Sequence, residues 1–267
     1  MRATSPRVHL IAEPAIDWTS IKEYLEEIGG ESWFYRASNQ FISDENADES
    51  QTLVEFSGRL CYRSWEPGLN PNVTKVREQQ DAYLDNILKV GHGSVLEHAN
   101  FSFIFENVSR VFTHELVRHR AGAAYSQESM RFVRLDDIPF WFPDWAQGDA
   151  ELMSRALKLL SQMEEFQLWM ADHFGLDDDG VPFSEKKHKT SFMRRFAPDG
   201  VSTSIVATFN ARALRHVIFM RTAKSAEEEI RLVFDDVANL MREKAPYLFQ
   251  DFTRNDDGEW VTPYIKV

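Results

Sequence analysis

Arg118, His119, Arg120, Arg131 and Arg134 fall within seventeen residues of a chain whose formal net charge is −12. Between them lie Gly122, Ala123, Tyr125, Ser126, Gln127 and Ser129, small or hydrogen-bonding residues throughout. Local positive charge on an acidic background suits a small polyanion, because the guanidinium fork matches phosphate oxygens in geometry and charge. A solvated charge run has a similar composition. The alternation with Gly, Ala and Ser, directly after an apolar helix-like run, favours a pocket. A second set follows in Asn210–Arg231. On a helical wheel Asn210, Leu214, Val217 and Arg221 share one stripe, and Arg212, Arg215, His216 and Phe219 share another. A guanidinium at the end of an apolar stripe needs an anion, and either a ligand or Glu228 or Glu229 would serve.

Other chemistries fit less well. His114-Glu115 with His119 has one residue too many for a zinc H-E-x-x-H pair, since five residues turn a helix by about 140° between the histidines. The run Asp177-Asp178-Asp179-Gly180 lacks the spaced ligands of an EF-hand. Neither G-x-G-x-x-G nor G-x-x-x-x-G-K-[ST] occurs. Ser126 and Ser129 have no nucleophile-elbow glycines around them, so no metal and no serine nucleophile is expected. The single cysteine, Cys61, has no electropositive surroundings in sequence that would activate its thiol.

The block RHRAGAAYSQESMRF, Arg118 to Phe132, resembles the signature of the flavin-dependent thymidylate synthases: R-H-R, then a serine (Ser129) and a further arginine (Arg131). The spacer from Ala121 to Glu128 is eight residues long, where the family's usual spacer has seven. NARALRHVIFMRTAKSAEEEIR resembles a second family segment through Asn210, Arg212, Arg221 and Glu229-Ile230-Arg231; Ser225 stands where a histidine is frequent. GHGSVLEH, Gly91 to His98, resembles G-H-x-[ST]-x-x-E-H, and VEFSGRLCYRSW, Val54 to Trp65, more weakly resembles an early family segment.

The resemblance implies methylation of dUMP at C5 to dTMP. FAD, reduced by NADPH, would donate hydride, and methylenetetrahydrofolate would supply the carbon. It implies flavin contacts at Ser94, Glu97, Arg118, His119, Arg120, Asn210, Arg212 and His216. The nucleotide would meet Glu115, Arg118, Gln127, Glu128, Ser129, Met130, Arg131 and Arg194, with Arg221 as the catalytic charge beside the pyrimidine. It implies a homotetramer with shared active sites. A UMP methylase of a nucleoside-antibiotic pathway and a non-catalytic flavin- or nucleotide-binding protein are the alternatives. The loop Ala121 to Gln127, rich in Ala and Gly, is expected near the sugar.

These residues need elements to hold them. The chain has 267 residues, 43% hydrophobic and 13% aromatic, enough for a sizeable core. Strands are predicted at Val8–Ile11, Phe101–Phe105 and Val201–Phe209. Helices are predicted at 17–28, 53–61, 73–90, 108–117, 150–174, 210–221 and 226–244, with loops at 38–52 and 175–181. Long helices with a few strands predict an α+β fold, a single domain of mixed helices around a small antiparallel sheet. The expected organisation is an N-terminal extension over 1–52, a catalytic domain over 53–252 and a tail over 253–267. No run approaches the ~18 apolar residues of a membrane span, and the opening residues lack an apolar signal core. With one cysteine these point to the cytoplasm. A pI near 5.2 argues against a nucleic-acid partner.

Overall fold

The computed structural model describes residues 2–131 and 135–267. Arg134 and Phe132, part of the arginine block, lie outside the described residues. Along the chain come β1 (Arg2–Ala3), β2 (Arg7–Ala12), α1 (Trp18–Ile28), α2 (Glu31–Ser43), α3 (Glu49–Tyr62) and α4 (Gln80–Lys89). A 3-10 segment (Gly93–His98) leads into β3 (Asn100–Ser109), α5 (Arg110–Leu116), β4 (Ala123–Gln127), β5 (Pro139–Phe140) and α6 (Asp144–Gln147). Next are α7 (Ala150–His173), α8 (Phe183–Met193), a 3-10 turn (Arg194–Phe196), β6 (Ser202–Asn210) and α9 (Ala211–Arg221). The chain closes with α10 (Glu228–Lys244), α11 (Pro246–Phe249), β7 (Thr253–Arg254) and β8 (Trp260–Val261). This is the expected α+β fold.

Four strands form a sheet in the order β2-β3-β6-β4. Glu128 N donates to Ser204 O at 3.0 Å, and Asn210 N donates to Gly122 O at 2.9 Å. Partner numbers that fall on one strand as they rise on the other make β4 and β6 antiparallel. Along β3 Phe101, Phe103 and Phe105 are buried while Ser102, Ile104 and Glu106 are partly open, the period of two that its sequence predicts.

Two compact units can be described separately. The first comprises the N-terminal residues through His9, Ile104–Arg118 and Tyr125–Ala207. In it Leu135, Ile138, Phe142, Leu160 and Val201 form an apolar cluster, and a second gathers Met170, Ala171, Leu176 and Met193. The other comprises Leu10–Phe103, His119–Ala124 and Thr208–Val267. There Leu25, Trp33, Ala37 and Trp65 pack with Phe56 and Leu69.

Most long helices begin where the sequence supplies a cap. Asp17 accepts from Thr19 N and Ser20 N, Asp48 from Ser50 N and Gln51 N, and Asp149 from Leu152 N. Departures from expectation follow from tertiary demands. Residues 38–52 are not one loop: α2 runs to Ser43 because Trp33 and Ala37 bury its inner face, and α3 starts at Glu49 behind the Asp48 cap. Residues 73–79 are not helical. Val73 O and Val73 N close a turn with Gly68 and Asn70, and Arg77 O accepts from the Arg59 guanidinium at 2.6 Å. The carbonyl there serves a buried cation instead of a helix. Val108 belongs to β3, and α5 starts only after Ser109, whose hydroxyl accepts from Phe112 N. Helix α8 lies where no element is predicted: its apolar residues Phe183, Phe192 and Met193 sit only at its ends. Five of the seven residues in the expected loop Ala121–Gln127 form β4. Among the described residues no helix is long and apolar enough to cross a membrane.

Candidate functional site

Gly122, the turn ahead of β4, has φ +68°, a left-handed conformation that glycine adopts without strain. Its carbonyl accepts from Asn210 N, and a Cβ there would run into the Asn210 side chain. Asn210 in turn caps α9, its Oδ1 accepting from Ala213 N at 2.8 Å. The close approach sets the start of α9 against the segment that carries Arg118–Arg120.

At the other end of α9, Arg221 Nε donates to His119 Nε2 at 2.7 Å. The rings of His119 and His216 meet edge to face with centroids 6.0 Å apart. Burial, then the charge of Arg221, then His216 push the His119 pKa down to about 4. The imidazole is therefore neutral at pH 7, with Nε2 as acceptor and the proton on Nδ1. Half a turn from the Asn210 cap, Arg212 Nη1 pairs with Glu97 at 2.7 Å, both partly open to solvent. Glu97, Ala121, Gly122, Asn210, Arg212 and His216 line one cavity of about 450 Å³ together with Ile265–Val267. Ser94 and Arg120 are exposed beside this set in sequence.

The second stripe of α9 does not stay together. Arg215 is buried, donating through Nη1 and Nη2 to the Asp251 carboxylate at 2.7 Å each and to Leu248 O at 2.6 Å. Arg215, a different arginine from the one at the end of the apolar stripe, thus has its anion within the protein, 36 residues away.

Apart from Arg221, the residues expected to meet the nucleotide lie in the other unit. Ser129 Oγ faces the Arg131 backbone N at 3.4 Å. Arg131 Nε is buried and has no hydrogen-bond partner among the described residues. Arg118 and Arg194 are exposed, and Glu115 is half-buried. Gln127 donates to Thr113 Oγ1 at 3.2 Å. Glu128 accepts from Ser204 N at 2.9 Å and from Thr203 Oγ1 at 3.3 Å, and Met130 packs on the Leu135 cluster. Cys61 is exposed, its thiol 3.4 Å from Ser57 O. Among the described residues no group of three His, Cys, Asp or Glu could hold a metal ion.

Residues 43–247 match the profile of the family described as thymidylate synthase complementing protein. The chain belongs to that family. Similar members include the flavin-dependent thymidylate synthase of Corynebacterium aurimucosum, 36% identical over 211 residues, 78% of this chain and 82% of that one. The flavin-dependent thymidylate synthase of Mycolicibacterium gilvum is 37% identical over 212 residues, covering 78% and 81%. Among solved structures, the UMP/dUMP methylase PolB from Streptomyces cacaoi, bound with 5-Br UMP, superposes with a TM-score of 0.60. At 16% identity, over 94% of this chain and 95% of that one, it shares the fold.

Most of what the sequence missed lies outside the family's motifs. Asp251 and the segment 262–267 carry no pattern of their own, and they reach α9 only through the folded chain. Gly93 sits within the GHGSVLEH block, yet its steric role, a Cβ that would come within 2.8 Å of Arg212 Nε, appears only in three dimensions.

Proposed function

We propose that the chain is a flavin-dependent thymidylate synthase that methylates dUMP at C5. The observation that carries the reading is Arg221, held by neutral His119 at the end of the helix whose start lies on Gly122. Family membership supports it. So does the fit of the residues to their ligands: the buried, unpartnered Nε of Arg131 suits a phosphate, and the cavity bounded by Glu97, Asn210, Arg212 and His216 suits a polar cofactor with a ring system.

When bound, FAD reduced by NADPH would supply hydride, and methylenetetrahydrofolate would supply the one-carbon unit. The protein's own residues bind, orient and bear charge. Arg131, Ser129 and Arg194 hold the nucleotide phosphate, with Glu115, Gln127, Glu128 and Met130 shaping that side. Arg118, His119 and Arg120, with Ser94, Glu97, Asn210, Arg212 and His216, hold the flavin. His119 takes the Nε–H of Arg221 and so fixes the plane of its guanidinium. Arg221 then presents a preoriented charge to the uracil carbonyl edge, where negative charge develops during the reaction. No protein nucleophile is required, in keeping with an exposed Cys61. The active assembly is a homotetramer in the cytoplasm.

The test is direct. Purified protein should carry flavin bands in its visible spectrum and form dTMP from dUMP, NADPH and methylenetetrahydrofolate. A colourless protein that binds dUMP without turnover would instead be a binding protein. UMP should react measurably but less well, since a site that merely fits the deoxy sugar rejects an added hydroxyl by at most about a hundredfold. A higher kcat/KM for UMP than for dUMP would reassign the substrate.

A further inference from the structure

The 450 Å³ cavity has two unlike sides. Glu97, Asn210, Arg212 and His216 make one side polar, and Ile265, Lys266 and Val267 supply another from a segment outside every family motif quoted above. Val267 is only 8% exposed. A Cβ on Gly93 would lie 2.8 Å from Arg212 Nε and 3.1 Å from the Val267 carbonyl carbon. The Gly93 backbone, the Arg212 guanidinium and the end of the segment are therefore stacked with no room for a methyl group. Ile265, by contrast, is 61% exposed, a large apolar side chain at the cavity lining.

The segment is also tethered to the helix that carries the polar side. Thr262 Oγ1 donates to the Asp251 carboxylate, the same carboxylate that receives both nitrogens of Arg215. Tyr264 N donates to Thr262 Oγ1 at 2.9 Å, and Val267 N donates to Tyr264 O at 3.3 Å. Arg215 and Asp251 are almost fully buried, at 3% and 4% side-chain exposure. Arg215 adjoins His216 in α9, so the tether ties residues 264–267 to the backbone that presents His216 and Arg212.

We propose that Ile265 and Val267 form the apolar wall of the flavin pocket, and that Thr262 is the positioning residue that holds this wall in register with α9. The inference rests on the reading of this cavity as the flavin pocket. A planar ring gains apolar contact from Ile265 and Val267 on one side and hydrogen bonds from α9 on the other, the mixture typical of cofactor sites.

Two variants test it in the full-length protein: Ile265→Asp, at an exposed position, and Thr262→Val, which removes the tether. FAD affinity is read from quenching of flavin fluorescence, the ring environment from visible circular dichroism, and dUMP affinity from calorimetry. Both variants should bind FAD about tenfold more weakly or worse, roughly 1.4 kcal/mol. Both should change the circular dichroism of bound FAD and leave dUMP affinity within about twofold. Normal FAD affinity and an unchanged spectrum in Ile265→Asp would overturn the wall, whatever Thr262→Val does to folding. Absence of FAD binding in the wild-type protein overturns the assignment of the cavity itself, and the wall with it.

Discussion

At the residue scale, the proposed chemistry turns on the pair His119 and Arg221. Removing the guanidinium takes away a charge oriented before the reaction, which typically costs on the order of 3 kcal/mol in the barrier. Arg221→Ala should keep the fold and lose more than about a hundredfold in kcat/KM. Arg221→Lys should rescue poorly, because a point charge cannot donate through Nε to His119 and face the pyrimidine at once. Single-turnover dTMP formation measures both, and near-normal rates in Arg221→Ala would remove this residue from the mechanism. His119 gives a pH signature of known sign. Its folded pKa of about 4 lies below the ordinary value of 6.5, so between those values the unfolded chain binds more protons than the folded one. The neutral ring's contribution is present above about pH 6.5 and is lost as the pH falls towards 4. His119→Gln cannot titrate, so the melting temperature of wild type relative to this variant should fall across that window. Parallel melting curves between pH 7 and 4.5 would refute the shift. Residue identity was the most legible layer of the sequence. Arg118, His119, Arg120, Asn210, Arg212 and Arg221 stand out by type and spacing, whereas the fate of Arg215 depends on Asp251, a residue that only folding brings near.

At the element scale, the short contact between Gly122 and Asn210 decides where α9 begins. Gly122→Ala would force a non-glycine residue into a left-handed conformation and push its Cβ into the Asn210 side chain. Such strain costs about 1–3 kcal/mol, and loss of the Asn210 cap alone about 1 kcal/mol. Chemical denaturation of Gly122→Ala, Asn210→Ala and the double variant should show less than additive losses, since the alanine at 122 already displaces the capping side chain. Strict additivity would mean that the two residues act separately. The elements also show where sequence periodicity fails. Phe101–Phe105 declares its strand because one face is wholly apolar, and α1 declares itself through the Asp17 cap and the Gly29 stop. Helix α8 has no apolar stripe to read, and α2 is hidden by the polar run of its second half, although Trp33 and Ala37 anchor its first. The extended 73–79 segment is set by the needs of Arg59, a distant cation. β4 reads as a loop because Gly122 precedes it and Ala123 and Ala124 have weak strand preference, and its pairing with β6 overrides that.

At the scale of the whole molecule, the residues proposed for the phosphate, Ser129, Arg131 and Arg194, belong to one compact unit, and those proposed for the flavin, Arg118 excepted, belong to the other. In a tetramer with shared sites they could come from different chains. Arg131→Ala and Arg221→Ala, each inactive alone, should then regain activity when mixed under conditions that exchange subunits. Light scattering should give a mass about four times the 31.0 kDa of one chain. A monodisperse monomer that turns over dUMP would discard the shared site. A different kind of integrity is built into α2, α3 and α4. Arg59, with no exposed surface, donates to Glu55 at 2.6 Å, to Ser64 O at 2.8 Å and to Arg77 O at 2.6 Å. Glu55 also accepts from Trp33 Nε1 at 2.8 Å and Gln80 Nε2 at 3.0 Å. One ion pair thereby draws on α2, α3, α4 and the intervening coil, and detaching any of them strands a buried charge. These helices have no inexpensive way to fray one at a time. Their slowest amide protons should exchange with solvent through a single shared opening, with one free energy and one denaturant dependence across all three.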